Sequence, residues 1–288
     1  LKTLPLRGHR FEDLTVSLLS AEGKTLVSYK PCRRGQKKPV EVRQPVRRPA
    51  EYATVEELYI NGYHLEQYKQ HNYDPRDYYR EGLRRDPGDI RCNTAMGRLA
   101  LKDGCFEQCV EFCSAAIRRL TSRNEHPTDT EALYLKGIAL CYLGRYEEAY
   151  DALSRAGWNY AHRSAAHYSL AAIDCRFGRF AAALEKLDVS LGLNAGHTRA
   201  ADLKTAVLRS LGCGGEALAL AQASAKADPL DLWARFELHA LTGEGLDEIR
   251  GIFGAKPENF LDVACDYLEA GFAGDALRVL DAADSGYP

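Results

Sequence analysis

Methionine and tryptophan are scarce in this sequence: Met96 stands alone, and Trp158 and Trp233 are the only indoles. Charge of one sign is missing as well. The 38 Lys+Arg against 40 Asp+Glu leave a formal net charge of −2, so no global field draws the chain to nucleic acid or to an anionic membrane. No run of eighteen apolar residues occurs, which argues against a spanning helix, and no secretory-leader pattern opens the chain. The nine cysteines (Cys32, Cys92, Cys105, Cys109, Cys113, Cys141, Cys175, Cys213 and Cys265) are odd in number and lie mostly in helical patterns. They read as free thiols of a reducing compartment, so a cytoplasmic location is expected. What remains is ordinary: 288 residues, 45% hydrophobic and 27% charged, enough for a sizeable core. The chain opens at Leu1 inside an apolar-alternating stretch and stops just after a helical pattern, so it reads as a piece of a longer protein.

Residues 11–29 differ from everything after them. Phe11, Leu14, Val16 and Leu18 alternate with polar residues, the period of a half-buried strand; Ala21-Glu22-Gly23-Lys24 supplies a turn, and Thr25–Tyr29 continues in strand-favouring residues. A β-hairpin is expected over 1–30, the end of a truncated β-sandwich. Residues 30–50 hold eight Lys/Arg, four prolines and a single acid, Glu41, which rules out a continuous helix. These residues read as an extended basic linker over 31–52. Phosphate binding by its cations is the weaker reading, because aromatic residues do not interleave with them.

From Thr54 onward the pattern is helical and periodic. In 131–156 an amphipathic segment, Ala132–Leu140, ends at Leu143-Gly144-Arg145, and a second runs from Tyr146 to Ala156. Glycine suits the left-handed residue that terminates a helix. Such glycines recur at Gly104, Gly144, Gly178, Gly212 and Gly271, at intervals of 40, 34, 34 and 59. An aromatic follows two residues later at Phe106, Tyr146 and Phe180, and a small residue five later at Cys109, Ala149, Ala183, Ala217 and Ala276. The 34-residue interval is a helical-repeat period. The 40-residue interval leaves room for a longer loop over 121–129, and the 59-residue gap holds an atypical helical pair at about 231–253. An upstream unit begins at Val55, its second helix opening at Asp74-Pro75, a cap followed by proline in the first turn.

These units resemble the tetratricopeptide repeat over roughly 53–284, with Gly137, Leu140, Ala149, Leu153 and Ala156 on its characteristic positions. Asn93, Leu133 and His167 depart from it where tryptophan is frequent, and Thr205 where glycine is usual. The resemblance implies a mainly α fold: a right-handed α-solenoid of helix-turn-helix repeats over 53–288, preceded by the β-hairpin. A second, weaker resemblance is to the repeat region of bacterial proteins with an uncharacterised N-terminal mutarotase-like β-sandwich, carried by Glu56-Glu57-Leu58-Tyr59, Arg84–Arg91 and Trp158-Asn159. It implies a link to carbohydrate metabolism.

In the tetratricopeptide family the first helix of each unit lines a concave groove, at fixed offsets from its glycine. Carried over, those offsets name Tyr59, Tyr63, Glu66, Arg98, Lys102, Tyr134, Tyr142, Tyr168, Arg176, Asp202 and Arg209 as groove residues. Tyrosine and arginine bring contact area with a polar handle, the chemistry of interface hot spots. The expectation is a non-enzymatic scaffold binding a protein or peptide segment, including the protein's own N-terminal domain, with no cofactor and no metal. The competing reading is an accessory domain that buttresses a sugar site on that β-sandwich, with a carbohydrate as partner. A homodimer through terminal repeats is the third.

Other constellations read as structure. Cys105, Cys109 and Cys113 share one helical face, but the last two fall on small core positions of the repeat, where cysteine packs as a small hydrophobe. His162 and His167, near Trp158 and Tyr160, read as capping or packing groups. Glu147-Glu148 and Glu56-Glu57 are adjacent and diverge around a helix, so they form no acid/base pair. Gly212-Cys213-Gly214-Gly215 lacks the preceding strand and the following Lys-Ser/Thr of a phosphate loop.

Overall fold

The computed structural model describes residues 7–31, 45–68, 72–254 and 256–283. Most of the basic, proline-rich linker expected over 31–52 lies outside the described residues. The chain divides between Arg47 and Arg48 into a small first unit and a large helical second one.

In the first unit β1 (Val16–Leu19) and β2 (Thr25–Tyr29) pair antiparallel, with Val16 opposite Tyr29 and Leu18 opposite Val27. Gly23 closes the turn at φ +82° and donates its N–H to Ser20 O at 3.0 Å. Ser17 and Ser28 share a hydroxyl hydrogen bond of 3.0 Å on the opposite face. The alternation in the sequence thus yields the expected hairpin, and all nine strand residues are exposed.

The second unit holds fourteen α-helices among the described residues: α1 (Val55–Gln67), α2 (Pro75–Arg85), α3 (Ile90–Lys102), α4 (Phe106–Leu120), α5 (Glu131–Tyr142), α6 (Tyr146–Ala156), α7 (Tyr160–Arg176), α8 (Phe180–Leu193), α9 (Thr198–Ser210), α10 (Gly214–Ala227), α11 (Leu232–Thr242), α12 (Leu246–Phe253), α13 (Glu258–Glu269) and α14 (Ala273–Ala282). They pack as consecutive pairs, and from α2 to α11 each second helix also packs on the first helix of the next pair.

Side-chain caps fix several starts. Thr54 and Glu57 form a reciprocal capping box, with Glu57 N–H donating to Thr54 Oγ1 at 3.2 Å. Asp74 accepts from Arg76 N–H at 2.9 Å ahead of Pro75, and Asp89 from Cys92 N–H at 2.8 Å. The five glycines named above are all left-handed, φ +70° to +84°. At Gly144, for example, Arg145 N–H reaches back to Leu140 O at 2.9 Å, the bond that closes a helix end before the chain reverses.

The small positions of the repeat are buried to within 1% of full burial at Cys109, Ala149, Ala183, Ala217 and Ala276. One turn further along the second helix a glycine of the first helix makes the close approach: a Cβ on Gly137 would meet Leu153 Cγ at 2.6 Å, and one on Gly97 would meet Cys113 Sγ at 2.6 Å. Thr205 departs from glycine at the corresponding place, and the second helix there carries Ala221 where α6 carries Leu153, both buried. Volume lost on one helix is thus matched by volume gained on the other.

Cys109 and Cys113 lie in this core, Sγ to Sγ 3.9 Å, with Cys109 Sγ 3.7 Å from Leu135 O. The hydrogen bond from Cys109 and burial both push the Cys113 thiol up. Cys105, one turn earlier, is exposed. No group of three His, Cys, Asp or Glu among the described residues is placed to hold a metal ion.

The expected atypical pair at 231–253 is α11–α12. The last pair breaks the stacking rule. α13 packs on α14 and α11, and its last turn reaches back to helices far earlier in the chain. Arg176 at the end of α7 donates to Leu268 O and to Glu269 O (3.3 Å). Phe272 stacks on Phe180 with centroids 5.8 Å apart.

Candidate groove site

The first helices α5 and α7 carry pocket-lining residues at matched offsets from Gly144 and Gly178, and α9 adds one more. Tyr134, Ile138, Cys141 and Tyr142 come from α5; Tyr168, Ala172 and Arg176 from α7; Arg199 from α9. Together with Cys265, Leu268 and Glu269 of α13 they enclose a cavity of about 570 Å³. α13 forms the side of this pocket opposite α5 and α7.

Tyrosine dominates this pocket, and its rings are held by neighbours. Tyr142 stacks on Phe106 (4.6 Å, 9° between planes) and donates its hydroxyl to Glu269 Oε1 at 3.1 Å. Tyr134 stacks on His162 at 5.4 Å, and Tyr168 meets His197 at 5.1 Å. Burial raises the phenol pKa of Tyr134, Tyr142 and Tyr168, so each stays a neutral hydrogen-bonding group. Burial and the nearby Arg199 lower the pKa of His197.

The cations are shared between rings and the C-terminal helix. The Arg176 guanidinium lies 5.1 Å from the Tyr146 centroid, and Arg199 lies 5.4 Å from that of Tyr168. Arg199 pairs with Asp266 and, at 3.1 Å, with Glu269. Arg176 is bound only by backbone carbonyls and the tyrosine face among its described contacts.

A second cluster lies on α1 and α3. Tyr59 stacks on Tyr63 at 5.8 Å, and Arg98 sits 5.7 Å from the Tyr63 ring. Arg98 donates to both oxygens of Glu66 (3.1 and 3.0 Å) and to Glu131 (2.6 Å); Lys102 reaches Glu66 at 3.0 Å. Burial opposes ionisation of Glu66, but the bonds from Arg98 and Lys102 outweigh it and hold the carboxyl below the usual range.

Of the eleven residues named from the sequence, the structure brings Tyr59, Tyr63, Glu66, Arg98 and Lys102 into this cluster and Tyr134, Tyr142, Tyr168 and Arg176 into the cavity wall. Arg209 sits apart, bound bidentately to the buried Glu237 at 2.9 Å and to Asp275 at 3.0 Å. Asp202 is 3% exposed and lies against Asp231. Its Oδ1 has no hydrogen-bond partner, and neither does the nearby buried indole N–H of Trp233. Burial, Asp231 and Glu237 push Asp202 up to about 9.

Sequence reasoning missed Ile138, Cys141, His197, Arg199 and the α13 residues. Arg199 stands at the same offset from Gly212 as Glu131 from Gly144, so the repeat register could have found it. No local signal marks Cys265, Leu268 or Glu269.

A stack of consecutive antiparallel helix pairs is the tetratricopeptide-repeat fold, and the chain has that fold. No protein-family model matches it. Among curated proteins it is similar to Superkiller protein 3 of Saccharomyces cerevisiae, 32% identical over 92 residues. That alignment spans 32% of this chain and 6% of the yeast protein. Among solved structures it is similar to Pseudomonas aeruginosa PilF (TM-score 0.58, 18% identity, 75% of this chain and 95% of that one). A tetratricopeptide repeat protein from Parabacteroides merdae aligns with TM-score 0.55 at 15% identity, over 79% of this chain and 98% of that one. MamA aligns with TM-score 0.51 at 20% identity, over 60% and 91%. No described helix is long and apolar enough to cross a membrane.

Proposed function

We propose that this chain is a non-enzymatic interaction scaffold that binds a protein or peptide segment along the inner face of its helical repeats. The observation that carries the reading is the cavity of about 570 Å³, lined at three matched offsets by the successive first helices α5 and α7 and completed by Arg199 of α9. A volume of this order accommodates anchoring side chains of a bound segment. Tyr63 and Tyr142 remain 38% and 55% exposed, so aromatic surface is available at both clusters. Large aromatic groups beside arginines bring contact area at low conformational cost. The fold of the solved relatives supports the scaffold reading and does not name the bound segment.

The test is selection of binding peptides from a displayed library against the whole chain, followed by titration of the selected sequences. Tyr63→Ala with Tyr142→Ala should weaken binding at least tenfold, while Arg145→Ala, on the turn into α6, should leave it within twofold. Equal affinities for both variants would sink the reading.

A further inference from the structure

Three arginines from the ends of first helices finish on the C-terminal hairpin. Arg199 takes Asp266 and Glu269, Arg176 takes the last carbonyls of α13, and Arg209 takes Asp275 at the start of α14. Asp266 and Glu269 stand three apart and so share one face of α13. Leu268 and Glu269 also line the cavity, whereas Tyr267 points the other way, into Trp233 (5.2 Å) and Glu237 (2.6 Å). The face of α13 turned to the inner wall is thus an acidic pair with a leucine beside it. The wall supplies the complement, two arginines backed by tyrosines.

We propose that α13–α14 is a resident ligand of the concave face, and that its acidic face states the partner's chemistry. The partner is a helical segment with two carboxylates one turn apart and an adjacent leucine, competing with α13 for Arg199 and Arg176. The inference rests on the reading of the inner wall as a binding surface. Charge complementarity selects the acidic helix, because among the described residues Arg176 has no carboxylate of its own and the carboxylates that pair with Arg199 come from α13. An intramolecular occupant also scales the apparent affinity down to the intrinsic affinity multiplied by the fraction of chains in which it has left.

The experiment uses the whole chain and a labelled synthetic peptide of its own residues 257–282. In the chain, Asp266→Asn with Glu269→Gln removes the resident carboxylates and leaves the arginines in place. This variant should bind the unaltered peptide at least tenfold more tightly than the parent chain does. A peptide bearing the same two substitutions should lose at least tenfold, and raising salt from about 0.05 to 0.5 M should weaken only the charged peptide. Saturating peptide should also speed amide exchange over 258–269 in the unaltered chain, which needs no variant to fold. Equal affinity for charged and neutral peptides, unchanged exchange, or a peptide-free dimer of the variant by light scattering would each overturn the proposal. A selected binder that still depends on Tyr63 and Tyr142 while the acidic peptide fails would leave the scaffold reading standing and remove this one.

Discussion

Gly271 rides directly over the backbone of Arg176: a Cβ built on the glycine would come within 2.6 Å of the arginine Cα. The two residues are 95 apart in the sequence, and their approach seats the α13–α14 turn on the end of α7. Gly271 is also left-handed, φ +84°.

Gly271→Ala therefore combines two penalties, and Gly144 separates them. Gly144 has φ +72° and nothing within 4 Å of a built Cβ, so Gly144→Ala should cost only the left-handed strain, about 1–2 kcal/mol. Gly271→Ala should cost more, on the order of 2–4 kcal/mol, because the Arg176 backbone cannot give way. Urea denaturation of both variants reads the difference, and equal costs would show that the α7 contact is not tight.

The close crossing of α5 and α6 predicts coupling between Gly137 and Leu153. Gly137→Ala should destabilise by roughly 1–3 kcal/mol through overpacking, and Leu153→Ala by about 2–5 kcal/mol through a cavity. Together they should cost less than the sum, since the new methyl occupies space the leucine left. A double-mutant cycle measures this, and strict additivity would contradict it. The Thr205 and Ala221 pairing is the natural version of the same exchange.

Range decides how much of this was legible in the sequence. The helix ends could be read because caps and left-handed glycines act within a few residues of themselves, as at Asp74-Pro75 and Gly144. The repeat register places Glu66, Arg98 and Lys102 on first helices, and the structure joins them in one ion-pair cluster. The return of α13 to α7 could not be read. Asp266 and Glu269 look like a solvated helix face, and their partners lie 67 residues or more away. The repeat offset points Asp202 into the groove, yet it is buried, because α11 brings Asp231 against it.

Asp202 predicts a pH dependence of definite sign. Its folded pKa, about 9, lies above the ordinary 3.8, so the folded state holds a proton that the unfolded state releases. Stability from this group is full below about pH 4 and falls as pH rises toward 9. Asp202→Asn keeps the shape of the protonated acid without the charge. The variant's advantage in urea denaturation should be small near pH 4 and grow by roughly 1.4 kcal/mol per pH unit toward pH 9. A gap that does not change with pH would show that Asp202 is ionised in the fold.

Glu66 predicts the opposite slope. Its folded pKa lies below the ordinary 4.5, so its contribution is present above that value and is lost as pH falls through the lowered one. Glu66→Gln should cost about 1–3 kcal/mol at neutral pH by leaving Arg98 and Lys102 short of a carboxylate. The deficit should close under acid conditions, and a persistent one would mean the loss comes from packing.

On the proposal that α13 is a resident ligand of the inner wall, entry to the central cavity is a gated event. The observed association rate of any segment that must lift this helix rises with concentration at first and then levels at the speed of the helix's own departure. The α1–α3 cluster lies outside these contacts, so arrival there keeps climbing with concentration. One surface would thus greet its visitors on two clocks.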